Sequence, residues 1–227
     1  MSRSLTSLGA IEQRTLADMV TARIRDAIRQ GELQPGQRLT EPELADSLDV
    51  SRSPVRVALA RLKSEGLIVG DSSRYVWRPT PDDVDEVFSL RNALNALAMR
   101  WLSEEGRLTD GDYTRLQSLI DELEKQAERK MMMSPASIIA MEEAFWGHLH
   151  KISGHNLVAR LWRQTSSQWH FFMYRYLNQY DQSNIAKQMV CAYHAILDAL
   201  CEGSLAQAVA EYDAVNHQRI ERIRDLF

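Results

Sequence analysis

Arg52 and Arg56 stand four residues apart in the run Ser51-Arg52-Ser53-Pro54-Val55-Arg56, so on a helix they share one face with hydroxyl groups beside them. A guanidinium offers a planar fork of N–H donors that matches the acceptor edge of guanine, and a serine hydroxyl can bond a phosphate oxygen. The chemistry available to such a cluster is recognition of an anionic, base-bearing polymer rather than bond making. Taken alone, the same two arginines also suit a solvated surface. Their surroundings decide.

The flanking residues supply the elements that would present the cluster. Leu39, Leu44 and Leu48, then Val55, Leu59 and Leu62, recur at helical spacing, with Asp49-Val50-Ser51 as the interruption between two short helices. Ser51 or Ser53 is expected to cap the second helix by accepting bonds from its first N–H groups, and Pro54 falls in the first turn, where a missing N–H costs little. Val55, Leu59 and Leu62 then face inward while Arg52 and Arg56 face out. A helix presented this way fits the major groove of DNA.

Residues 31–67 as a whole resemble the N-terminal winged helix-turn-helix of GntR-type bacterial transcription regulators. The matching residues are Gly31, Leu33, Pro35, Gly36 and Leu39, then Leu44-Ala45, Leu48, Val50 through Arg56, Ala58-Leu59, Arg61-Leu62 and Glu65-Gly66-Leu67. The resemblance implies that Arg52 and Arg56 reach bases or phosphates and that Ser51 and Ser53 touch phosphates, with Pro54 in the same contact surface. Two positions depart from the pattern. Pro42 stands where a relative has a DNA-contacting Arg, and the wing, Val69 to Val76, is short and lacks the usual Arg-Gly tip, which leaves Arg74 as its candidate contact.

Composition is consistent with a two-part chain. It has 227 residues, 44% of them apolar, enough to bury real cores. The net charge of −4 is unevenly spread: residues 1–80 carry 12 basic and 10 acidic side chains, and residues 81–227 carry 15 and 21. A small positive excess on the first part alone makes local clustering and two copies of the reader, rather than a broad positive field, the source of affinity. No run approaches a membrane span, no secretory signal opens the chain, and residues 1–14 read as a polar mobile arm. Cys191 and Cys201 lie ten apart in one helical stretch and suit a reducing cytoplasm.

After Pro79 the pattern becomes purely helical. Six amphipathic stretches are expected, over 82–105, 110–131, 135–152, 156–178, 182–202 and 204–226, separated by capping and turn residues. The fold class is therefore mainly α, with a winged helix-turn-helix over 15–78, a linker at 79–81 and an all-α six-helix bundle over 82–227. This bundle resembles the FCD effector domain of the FadR-type branch of the GntR family, in its shorter VanR-like form. Asp82-Asp83-Val84, Leu90-Arg91 and Leu94 follow the first helix, though Asn95 stands where Glu is common. Ala144-Phe145, Leu149 and Ser153-Gly154 follow a second motif, and His194-Ala195-Ile196-Leu197 with His217 follow a third.

In such domains an Asp, the His four residues on and two later histidines commonly hold a divalent metal. Here those positions become Glu142, Trp146, His194 and His217. Imidazole and carboxylate suit Zn, Ni or Mn, yet Trp cannot coordinate. Three readings stay open. His150, one turn beyond Trp146, restores a fourth ligand beside Glu142, His194 and His217; or an organic effector binds without metal, with Trp146 as an apolar wall and His194 and His217 as hydrogen-bonding groups; or the histidines are buried, satisfied polar groups. Arg91 is either a partner for an effector carboxylate or half of an interhelical salt bridge.

The function implied is a ligand-responsive transcription regulator, a repressor that binds a pseudo-palindromic operator as a homodimer and answers to a small organic acid. Two other classes compete: a constitutive DNA-binding dimer, and a helical metalloenzyme built on Glu142, His194 and His217. No nucleophile–base pair is recognisable from spacing, and an enzyme would leave the N-terminal reader unexplained.

Overall fold

The computed structural model describes residues 15–128 and 134–227; the expected arm at 1–14 and the end of the second bundle helix lie outside them. The chain divides into two compact units between Trp77 and Arg78.

In the first unit, helix α1 (Leu16–Gln30) starts at a reciprocal cap between Thr15 and Asp18 and stops at Gly31, whose φ of 79° only glycine adopts cheaply. Val20, Ile24, Ala27 and Ile28 form its buried face, which packs on α3 (Arg52–Ser64). Between them come strand β1 (Arg38–Leu39) and helix α2 (Glu41–Leu48), capped by Thr40. Asp49 ends α2 in the left-handed region at φ 52°, a conformation Asp tolerates better than most residues. The chain thereby reverses in three residues and enters α3, whose inward face is Val55, Ala58, Leu59 and Leu62.

Strands β2 (Ile68–Val69) and β3 (Arg74–Val76) make the wing, and β1 joins them in the antiparallel order β1-β3-β2, with Arg38 opposite Tyr75 and Ile68 opposite Val76. Gly70 makes the short wing possible. Its φ is +89°, and a Cβ there would sit 2.1 Å from the Ser73 carbonyl oxygen.

The second unit contains helices α4 (Pro81–Glu105), α5 (Asp110–Glu128), α6 (Pro135–Ile152), α7 (Asn156–Gln164), α8 (Ser166–Gln179), α9 (Gln182–Cys201) and α10 (Leu205–Arg224). Thr80 caps α4 reciprocally with Asp83 and Pro81 opens the helix, so the linker expected at 79–81 ends one residue earlier. Helices α9 and α10 pack together, α5 lies on α9, and α4 lies on α10 and α6. Phe88, Met99, Phe145, Trp146, Leu149, Phe171, Phe172, Tyr193 and Ile196 fill the centre.

Seven helices appear among the described residues of this unit where six were expected, because the stretch 156–178 breaks at Thr165. The Trp162 carbonyl accepts from both the N–H (3.2 Å) and the hydroxyl (2.8 Å) of Thr165, a tight turn in place of the α-helical pattern. Arg91 then donates to the same carbonyl at 3.3 Å and to the Thr165 hydroxyl at 3.1 Å, fixing the break from across the bundle. No helix among the described residues is long and apolar enough to cross a membrane.

Candidate functional site

The N-terminus of α3 presents Ser51, Arg52, Ser53 and Arg56 to solvent, with Pro54 half-buried in the first turn. Ser51 occupies the N-cap position but makes no capping bond with its side chain, contrary to the expected role of either serine as the cap. Its hydroxyl and the first N–H groups of α3 are thus uncommitted to capping, the arrangement that suits a phosphate oxygen.

Arg56 and Arg74 converge on one carboxylate. Glu41 accepts from Arg56 Nε at 3.1 and 3.3 Å and from Arg74 Nη1 at 2.8 Å. The Arg74 hydrogen bond, followed by that of Arg56, holds the Glu41 carboxyl below the usual carboxylate range. This contact was not legible in the sequence, since Glu41 is 15 and 33 residues from its partners. The wing does place Arg74 beside the recognition helix.

Inside the second unit, Glu142, Trp146 and His150 share the buried face of α6, as their spacing implies. The partners differ from those expected. Arg219 of α10 donates Nη1 to both Glu142 oxygens at 2.9 and 3.2 Å, with both side chains almost wholly buried. Trp146 Nε1 donates to the Tyr193 hydroxyl at 3.0 Å. His150 Nε2 lies 2.9 Å from Asn95 Oδ1, while Asn95 Nδ2 donates to the Tyr212 hydroxyl at 2.7 Å. With Nδ2 of Asn95 acting as donor, its Oδ1 must accept, so His150 carries its proton on Nε2. Burial, with help from Arg91, pushes the His150 pKa down to about 4.

The two later histidines do not enter this interior. His194 is half-buried at the edge of α9, with Nδ1 3.3 Å from Gln117 Nε2. His217 is exposed, 3.7 Å from Glu221. Each is one helical position away from the residue that points inward, and one position turns a helix by about 100°. On α10 the inward stripe is Tyr212, Asn216, Arg219 and Ile223, which excludes His217. On α9 the inward residue is Tyr193. Tyr193, one position before His194, thus takes the inward place on α9 that the sequence reading gave to His194.

These residues do not fit the metal among the three readings, nor the effector pocket built on His194 and His217. Glu142 is paired with a guanidinium, Trp146 donates to Tyr193, and His194 and His217 lie outside. Among the described residues, the cluster of three His, Cys, Asp or Glu side chains whose ligand atoms all lie within 4.8 Å of one another is Asp121, Glu124 and His194, where α5 meets α9, rather than Glu142, His150, His194 and His217.

Arg91 proves to be internal as well. Its Cζ sits 4.5 and 4.6 Å from the ring centroids of Trp162 and Trp169, and Nη2 meets Glu143 at 3.2 Å. Burial draws its pKa down and Glu143 opposes that shift. It is the interhelical bridge, already fully engaged. The sequence reading missed Arg219 and Tyr193, although the i, i+4, i+7 stripe from Tyr212 marks Arg219 as inward-facing. A groove of about 520 Å³ opens between α8, α9 and α10, where Tyr176, Lys187, Gln188, Glu211, Gln218 and Arg219 line it.

Comparison with known proteins agrees with both units. Residues 16–72 match the family described as bacterial regulatory proteins, gntR family, and residues 86–215 match the FCD domain. The chain is 30% identical over 190 residues to an uncharacterized HTH-type transcriptional regulator in an unstable DNA locus of Streptomyces ambofaciens, covering 82% of this chain and 75% of that protein. It is 26% identical over 227 residues to HTH-type transcriptional regulator McbR of Escherichia coli, covering 94% and 98% of the two chains. With uncharacterized HTH-type transcriptional regulator YdhC of Bacillus subtilis it shares 34% identity over 104 residues, 45% of this chain and less than half, 46%, of that one. The solved structure of E. coli McbR/YncC superimposes with a TM-score of 0.75 at 22% identity, over 93% of this chain and 98% of that one. Both domain families are those of regulators rather than enzymes. An exposed Arg/Ser helix terminus and wing, followed by a helical FCD unit, place this chain in the GntR family of bacterial transcription regulators.

Proposed function

We propose that this regulator is a repressor that binds a pseudo-palindromic operator as a homodimer in the cytoplasm, one winged unit per half-site, and releases it when a small organic acid binds the helical unit. The observation that carries the reading is the N-terminus of α3, where Arg52 and Arg56 are exposed beside a serine hydroxyl that makes no capping bond. With Pro42 in the first turn of α2, the donors that read bases are those of α3 and the wing.

The effector reading rests on the altered interior. A fixed guanidinium, Arg219, replaces the cation that a metal would supply, and Arg219 also lines the groove between α8, α9 and α10. A carboxylate entering there meets Arg219 on its floor and the exposed Lys187 at its rim. Because Arg219 is tied to Glu142, such a ligand bears on α6 as well as on the three helices that form the groove. Binding that favours one arrangement of the reading heads by about 1–3 kcal/mol changes operator occupancy tens-fold.

The test is a titration of the full-length protein against its own upstream region by fluorescence anisotropy at several salt concentrations. Binding is expected to be sequence-selective and to weaken steeply with salt, and Arg52→Ala or Arg56→Ala to cost about 1–3 kcal/mol. Neutral results at both positions reject the assignment of α3. A thermal-shift screen of dicarboxylates, sugar acids and aromatic acids, with and without Zn or Ni, checks the effector: stabilisation by an acid alone is expected, and stabilisation that needs metal contradicts the reading.

A further inference from the structure

We propose that Glu41 is a positioning residue for sequence reading, which fixes the stem of Arg56 on the recognition helix and ties it to Arg74 of the wing. Glu41 sits in the first turn of α2, where the helix N-terminus favours a carboxylate, and the adjacent Pro42 has a fixed φ that suits that turn. Its side chain is 19% exposed, whereas that of Arg56 is 67% exposed. Glu41 grips Arg56 through Nε alone among the atoms that bond it. The two terminal nitrogens, which form the bidentate fork to a guanine edge, are left for the base. Pro42 stands at the position for which the resemblance implies a DNA-contacting Arg; what α2 contributes in its place is an acceptor that aims the donors of other elements.

Two opposite effects follow. Fixing an arginine stem before DNA arrives lowers the ordering cost of the specific contact. A carboxylate beside the phosphates also repels them and lowers the charge the reading head presents, which weakens sequence-independent binding. Glu41 should therefore raise the ratio of specific to non-specific affinity from both sides. A residue that merely held the fold together would move both affinities in the same direction.

The proposal rests on Arg56 as a DNA contact, so the experiment carries a separate arm for that reading. A duplex is first selected from a random pool by the full-length wild-type protein. Its affinity and that of a random-sequence duplex of the same length are measured for wild type, Glu41→Gln, Glu41→Ala and Arg56→Ala, with melting curves as the folding control. Glu41→Ala is expected to bind the random duplex up to about threefold more tightly and to lose about fivefold or more of the selected-to-random ratio. Glu41→Gln, which keeps an acceptor oxygen but not the charge, should fall between, and it carries the test if Glu41→Ala melts early. A ratio unchanged in both Glu41 variants while Arg56→Ala lowers it overturns the role of Glu41 alone. A ratio unchanged in all three overturns the reading of Arg56 as well.

Discussion

The Glu142–Arg219 pair shows how one residue can change what a site can hold. Burial works against the Arg219 charge, and the Glu142 carboxylate more than offsets it, so the guanidinium's pKa rises. A buried pair of this kind adds little net stability compared with two apolar side chains, yet breaking it strands a charge in the core. Arg219→Met in an otherwise intact chain is accordingly expected to cost about 3–5 kcal/mol in urea unfolding at neutral pH. The double variant Glu142→Leu with Arg219→Met should cost less than either single change. If the single variants lose under about 1 kcal/mol, the range of an exposed pair, the interior is wetter than its geometry indicates.

At the scale of elements, what could be read in the sequence was whatever is decided within a few residues. Ser134 before Pro135 and Asp181 before Gln182 are local capping signals, and each begins a helix where the sequence places one, while Thr80 with Asp83 begins α4 one residue before the expected start. The recognition helix was legible for the same reason. The break at Thr165 was not, because the amphipathic pattern runs through it and the group that fixes it, Arg91, is 74 residues away. The candidate interior failed by a single helical position at both Tyr193/His194 and Asn216/His217, a distinction that motif matching cannot draw without the inward stripe. The break itself is testable. Thr165→Val keeps the shape but removes the hydroxyl that donates to Trp162 and accepts from Arg91. It should cost about 1–3 kcal/mol, the penalty for leaving buried polar partners unmatched, whereas Thr165→Ser should be near neutral. Thermal melts of the two variants side by side check this.

At the scale of the whole molecule, the buried polar chain through Asn95, His150 and Tyr212 makes stability depend on pH in a window separate from that of the carboxylates. His150 has its pKa lowered from 6.5 to about 4 in the folded protein, chiefly by burial. Below pH 6.5 the unfolded chain therefore binds a proton that the folded chain refuses, so stability rises with pH between about 4 and 6.5 and is fully present above that range. Asp112, held down by its bonds to Thr109 and His148, and Asp18, held down to about 2 by Arg61, act in the same direction but only below the ordinary carboxylate range. Between pH 4.5 and pH 7 the histidine alone should contribute about 2–3 kcal/mol. Urea unfolding at pH 4.5, 5.5, 6.5 and 7.5 measures the slope, and His150→Gln, which retains a donor for Asn95, should flatten it in that window while leaving the steeper loss at lower pH. An unchanged slope in the variant would assign the pH dependence to other groups and would mean that His150 reaches a proton without opening the core. Since the same core carries Glu142, Trp146 and Tyr193, a flattened slope would also show that the interior excludes water tightly enough for a fixed guanidinium to act there at full strength.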